Sequence, residues 1–198
     1  KKADTAEKKL RELIASGRQE LEYLDSVQDA LARAETNAEL SAIREELTQA
    51  GYLRPVRGAR GMKPQRLGPL EFRSSDGYTI YCGRNNLQNE RLTLRESRNY
   101  DLWLHVQKIP GSHTVVVSQG GPIPERTIEE SAVIAAYHSK ARNSSKVPVD
   151  YVIIKNVKKI PGAKPGMVTY QGYQTAIVDP DEQLVERLAV TSQGGKRE

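Results

Sequence analysis

The chain has 198 residues, 37% of them hydrophobic and 28% charged, with a formal net charge of +5. Mean hydropathy is −0.62, and no run approaches the ~18–20 apolar residues of a membrane-spanning helix, so no membrane partner is expected. The single cysteine, Cys82, excludes an intrachain disulfide and a cysteine-built zinc site.

Charge divides the chain. Residues 1–50 hold 8 Lys and Arg against 11 Asp and Glu, a net of −3, which leaves +8 for the remainder. A basic domain behind an acidic lead-in points to nucleic acid as a partner. The start, Lys1-Lys2-Ala3-Asp4, has neither a methionine nor an apolar signal stretch and reads as a piece of a longer protein.

Residues 1–53 read as a helical arm. Leu10, Leu13, Ile14, Leu21, Leu24 and Leu31 recur at three- and four-residue steps, a narrow coiled-coil stripe. Thr36-Asn37-Ala38-Glu39 has the form of a capping box that restarts a helix bearing Leu40, Ile43 and Leu47. Gly51 ends it. One stripe cannot bury itself, so the arm calls for a partner helix from the N-terminal part of the same protein. The alternative is a two-helix appendage folded back onto the domain. Residues 54–69, rich in Arg, Gly and Pro and free of acids, read as an extended basic linker.

Residues 70–190 read as an α+β domain: a mostly antiparallel sheet with a buried helix packed on it. Strands are expected at Glu71–Arg73 and Tyr78–Cys82 around a Ser75-Asp76-Gly77 turn, and at Asp101–Val106 and His113–Val117. A short helix is expected near Glu90–Ser97. Thr127-Ile128-Glu129-Glu130 reads as a second capping box, opening a buried helix that runs to Arg142. Val149–Lys155 reads as the central strand, and Met167–Tyr170 with Gln174–Val178 as a final strand pair. Residues 191–198 form a polar tail expected to be disordered.

Three stretches stand out for chemistry. In Asp101-Leu102-Trp103-Leu104-His105-Val106, strand alternation puts Leu102, Leu104 and Val106 on one face and Asp101, Trp103 and His105 on the other. That second face is either an open aromatic platform for an unstacked base, or it is covered, with Asp101 and His105 bonded to each other. The chain continues through Lys108 and a Pro110-Gly111 turn to Ser112 and His113. Two histidines fall short of the three or four ligands of a zinc site. In Gly83-Arg84-Asn85-Asn86-Leu87-Gln88-Asn89-Glu90, side-chain amides and an arginine crowd the start of a helix. They suit either phosphate and ribose contacts or local turn-making and capping. Lys155, Lys158, Lys159 and Lys164 follow the central strand on a loop with two Pro-Gly pairs. They can act as point-charge phosphate contacts or as a solvated loop. No nucleophile elbow, P-loop or recognisable carboxylate cluster is present, so the chain reads as a binding module with no enzymatic activity and no cofactor.

Taken together, four blocks resemble the NFACT-R domain of the RqcH and NEMF family. They are Gly83-Arg84-Asn85-Asn86-x-Gln88-Asn89-Glu90-x-Leu92-Thr93, Asp101-x-Trp103-x-His105-x-x-x-x-Pro110-Gly111-Ser112-His113, Ala135-Ala136-Tyr137-His138-Ser139, and Val157-Lys158-Lys159-x-Pro161-Gly162-Ala163-x-Pro165-Gly166-x-Val168. Glu96 departs from the pattern, where a small residue is expected. The resemblance implies a cytoplasmic factor of ribosome-associated quality control, with an antiparallel coiled coil before this domain. Its partners would be the large ribosomal subunit with its ribosomal RNA and peptidyl-tRNA, and tRNA recruited for template-free C-terminal alanine tailing. It also implies RNA contacts at Arg84, Asn85, Asn86, Gln88, Asn89, Asp101, Trp103, His105, Ser112 and His113. The family's fibronectin-binding label supplies an alternative, a surface adhesin.

Overall fold

A computed structural model describes residues 2–55 and 67–190 of the chain. Most of the expected linker and all of the expected tail lie outside the described residues.

Two helices come first, α1 (Lys2–Arg33) and α2 (Asn37–Gln49). The capping box before α2 is formed: Thr36 Oγ1 accepts from the Glu39 amide at 3.3 Å, and the Glu39 carboxylate accepts from the Thr36 amide at 3.1 Å. Gly51 stands just past the helix at φ +86°, the left-handed region that favours glycine. The leucine stripe of α1 faces solvent: Leu10, Leu13, Leu21 and Leu31 are all more than half exposed. Another face of the same helix, Tyr23, Val27 and Ala30, packs with Ile43 of α2 and with Ala34, Leu47, Tyr52 and Met167. The folded-back appendage is thus formed by the later turns of α1 with α2. The far end of α1 projects with its stripe uncovered, and the near end folds onto the domain.

The domain is built on six antiparallel strands in the order β1-β2-β4-β3-β5-β8. They are β1 (Leu70–Arg73), β2 (Thr79–Cys82), β3 (Leu102–Val106), β4 (Thr114–Val116), β5 (Val147–Ile153) and β8 (Gln174–Val178). Strand β5 is interior but next to the edge. The strand pair expected at the end of the chain does not form. Strand β7 (Val168–Tyr170) instead pairs with β6 (Val157–Lys159) in a separate flap, while β8 joins β5. Two short apolar runs reveal pairing propensity but not partner, which long-range packing decides.

One face of the sheet packs on α4 (Glu125–Tyr137) and α5 (Glu182–Leu188). There Ile80, Leu104, Val106, Val116 and Val149 meet Ala132, Ile134, Ala135 and Ala136; the small side chains let the helix sit close. The second expected capping box is absent. Helix α4 begins two residues before Thr127, after Pro124, and stops at Tyr137 rather than Arg142. The Thr127 hydroxyl lies 2.9 Å from Asp76 Oδ2 and 2.9 Å from Ser74 Oγ, and Glu130 accepts from the Ser75 amide at 2.8 Å. Both residues serve the β1–β2 turn, not the helix end.

Candidate nucleic-acid interface

The alternation of β3 holds. Leu102, Leu104 and Val106 enter the main core, and Trp103 points to the opposite face. That face is closed. Trp103 is fully buried among Leu92, Val115, Val152, Ile154 and Val157, beneath the β6–β7 flap and a π-helical turn, Leu92–Glu96, that continues α3 (Asn86–Arg91). Its ring stacks on His105 at 5.7 Å, meets His113 edge-on at 5.2 Å and touches Tyr170 at 4.8 Å between centroids. The open platform is thus corrected to a second, smaller core. Its cover comes from Leu92, Val157, Val168 and Tyr170, residues distant in sequence that no period-2 pattern exposes.

Asp101 and His105 are not bonded to each other. Asp101 is buried and accepts from the Arg98 amide at 2.7 Å and the Ser118 amide at 2.9 Å. Burial pushes both imidazoles below the ordinary histidine range; the His105 ring adds to the depression at His113. His113 Nδ1 lies 2.7 Å from Thr93 Oγ1. The third histidine, His138, is pushed down to about 3 by burial and by the charges of Arg33, Arg142 and Arg84. Among the described residues no group of three His, Cys, Asp or Glu side chains could hold a metal ion.

The amide-rich loop is turned inward. Asn85 caps α3 by accepting from the Gln88 amide at 2.9 Å. Gln88 accepts from the Arg84 amide at 2.7 Å and donates to the Leu67 carbonyl at 2.9 Å. Asn89 accepts from the His113 amide at 3.1 Å, and Gly83 is required beside it: a Cβ there would stand 2.0 Å from Asn89 Oδ1. The amides that were expected to meet a phosphate already face an anion. The Glu46 carboxylate, 1% exposed, accepts from Asn86 N at 3.1 Å, Leu87 N at 3.4 Å and Asn86 Nδ2 at 2.9 Å. Arg84 pairs with Glu39, and Ser112 is buried and accepts from Arg33 at 3.2 Å. Capping and turn-making account for Asn85 and part of Gln88, and long-range bonds hold Arg84, Asn86 and Asn89. The partner that completes the loop, Glu46, is 40 positions away, which is why sequence spacing does not reveal it.

The lysines separate into two pairs. Lys159 bonds Glu90 at 2.7 Å, and Lys164 sits 4.9 Å from the Tyr52 ring centroid, clamping the flap to the arm. Lys155 and Lys158 are exposed, as is Lys108, which adopts a left-handed φ of +58°. Glu96 faces solvent and pairs with Arg91 at 2.7 Å, so its departure from the family pattern does not disturb packing.

Residues 69–172 match the family model described as the NFACT protein RNA binding domain, and residues 1–66 match that of the NFACT N-terminal and middle domains. The chain belongs to the NFACT family. It is 45% identical over 181 residues to the Rqc2 homolog RqcH of Bacillus subtilis (strain 168), covering 90% of this chain and 31% of that protein. It is 40% identical over 190 residues to the Rqc2 homolog RqcH of Streptococcus suis (strain 05ZYH33), covering 96% of this chain and 34% of that one. The NFACT chain in hand thus spans about a third of the length of these relatives. The solved C-terminal part of the fibronectin/fibrinogen-binding protein from Streptococcus suis superposes with a TM-score of 0.88 at 38% identity, over 94% of this chain and 74% of that one. Among the described residues of this NFACT chain, no helix is long and apolar enough to cross a membrane.

Proposed function

We propose that this chain is the RNA-binding portion, with part of the coiled-coil arm, of a ribosome quality-control factor. The complete protein would act in the cytoplasm on a large ribosomal subunit that still carries peptidyl-tRNA, and would recruit tRNA for template-free alanine tailing. The chain itself works by binding, not by catalysis. The observation that carries this reading is the match of residues 69–172 to the NFACT RNA-binding domain, joined to relatives named Rqc2 homolog RqcH. Two physical features support it. The exposed Lys108, Lys155 and Lys158 offer positive charge to phosphates. The uncovered stripe of α1 is suited to a second helix of the same protein, which would complete an antiparallel coiled coil.

The experiment is co-sedimentation of the full-length protein with purified large subunits across a salt series. Replacing Lys108, Lys155 and Lys158 with Glu should weaken association most at low salt, because each neutralised phosphate releases condensed counterions. Unchanged co-sedimentation of that variant refutes the assignment of these lysines. An adhesin, the alternative suggested by the name of the Streptococcus suis neighbour, would bind immobilised fibronectin and leave subunits in the supernatant.

A further inference from the structure

The burial of Trp103 leaves a question that the lysines alone do not answer: where this surface could hold a base. The exposed aromatics of the domain supply an answer. Tyr100 is 51% exposed and Tyr173 46% exposed, and strand register brings them to the same end of the sheet. Tyr100 lies two residues before β3, whose Leu102 pairs with Ile153 of β5; Tyr173 lies one residue before β8, whose Gln174 pairs with Tyr151 of β5. Lys155, in a short 3-10 turn (Ile154–Asn156) just past the end of β5, lies between the two strands that the tyrosines precede. Those strands are two spacings apart, about 10 Å, and the register sets Tyr100 about three residues, roughly 10 Å, further along than Tyr173.

The strip is held rigidly from beneath. Asp101 fixes the loop before β3 through the Arg98 and Ser118 amides, and its own carbonyl accepts from Ile154 at 2.9 Å. The Lys155 amide donates to the Asn99 carbonyl at 3.0 Å, joining the two loops. On the outer side, Arg98 donates to the Tyr100 hydroxyl at 2.8 Å with its guanidinium 5.9 Å from the ring centroid. Tyr173 is braced edge-on by Tyr170 at 5.2 Å. The acids nearby are withdrawn: Asp101 is buried and Glu96 is paired with Arg91. Lys155 has no ion partner among the described residues.

The geometry points to this strip, Tyr100 and Tyr173 flanking Lys155 with Arg98 at its margin, as the place where single-stranded RNA is held, bases on the rings and a phosphate of the backbone between them on the lysine. The inference rests on the RNA-binding reading above and assigns its contact surface. Preorganised aromatic rings flanked by cations stack any base, so the site selects unpaired nucleotides and is tolerant of sequence. An apolar protein partner fits poorly, since the Tyr100 ring is bordered by the Arg98 guanidinium and Lys155 is exposed.

The test uses the 198-residue chain and a fluorescein-labelled oligouridylate, followed by fluorescence anisotropy over a salt series, with a blunt RNA duplex as comparison. Tyr100→Ala and Tyr173→Ala should each weaken binding roughly five- to a hundredfold while leaving the salt dependence intact. Tyr100→Phe should bind as the unaltered chain does. Lys155→Ala should reduce the logarithmic salt slope by about 0.7, one phosphate's share for a single strand. Arg187→Ala, on α5 behind the other face, should change nothing. If the unaltered chain binds and both tyrosine variants match it, or if only the duplex binds, the strip is wrong and RNA binding stands. If neither RNA shows salt-sensitive binding, the RNA reading falls with it. All substituted side chains are exposed, so matching circular dichroism spectra verify the fold.

Discussion

Replacing Glu46 should loosen the arm from the sheet domain. The carboxylate is 1% exposed and accepts from two backbone amides of α3 and from the Asn86 side chain. In Glu46→Ala the Asn86 side-chain amide keeps Ser26 Oγ at 2.9 Å, but the buried amide of Asn86 and the half-buried amide of Leu87 lose their acceptor. Each orphaned amide costs about 1–3 kcal/mol. Against this stands the carboxylate's own desolvation, which raises its pKa despite three donors. The net loss should be about 2–4 kcal/mol, and Glu46→Gln, which keeps one acceptor oxygen, should lose about half as much. Urea unfolding followed by circular dichroism gives the magnitude; hydrogen exchange at Asn86 and Leu87 gives the location. A loss under about 0.5 kcal/mol, or unchanged exchange at those two amides, would refute the view that one buried carboxylate joins arm and domain.

The three histidines of the chain, His105, His113 and His138, all have imidazoles held below their ordinary range in the fold. Below pH ~6.5 the unfolded chain takes up protons that the folded chain refuses, so stability falls on acidification. The slope reaches at most about 4 kcal/mol per pH unit for three protons, reduced by Glu46 and Asp29, whose raised carboxyls titrate in the opposite sense. Urea midpoints compared at pH ~7.5 and ~5.5 check this, and a stability that rises on acidification contradicts it. Trp103, the lone tryptophan, should emit at short wavelength, resist iodide quenching and stay unchanged when RNA binds. Trp103→Ala should cost about 3–5 kcal/mol, and ready quenching of the native protein would show the flap to be open.

Local rules carried the sequence reading a long way in the arm and the core. The capping box at Thr36, the stop at Gly51 and the two-residue alternation of β3 all depend on neighbours within a few positions, and all are present. The class of fold, an antiparallel sheet with a buried helix, follows from the same patterns. What was illegible depends on distant partners. Thr127 and Glu130 have the spacing of a cap, yet both are taken by the β1–β2 turn. Pattern alone left the Trp103 face either open or covered, because its cover is a flap assembled more than 50 residues later. The asparagine loop looked like a phosphate cradle because Glu46, the anion it holds, comes from another helix. Asp101 shows the same limit from the other side: its type and place suggested a contact, and its bonds make it the anchor beneath Arg98 and Tyr100.

Every described residue of α1 from 3 to 22 is exposed, whereas the following turns are seated on α2 and the flap. At 1.5 Å per residue these 20 exposed residues form a strut of about 30 Å within the chain. Glu46 and Lys164 fasten its root, so the strut leaves the sheet at a set angle instead of swivelling. A helix docked along this exposed stretch and a ligand on the sheet would then be held at a fixed span. The chain would act as a ruler between two contacts, and deleting whole turns from the exposed stretch would misplace one of them without altering either surface.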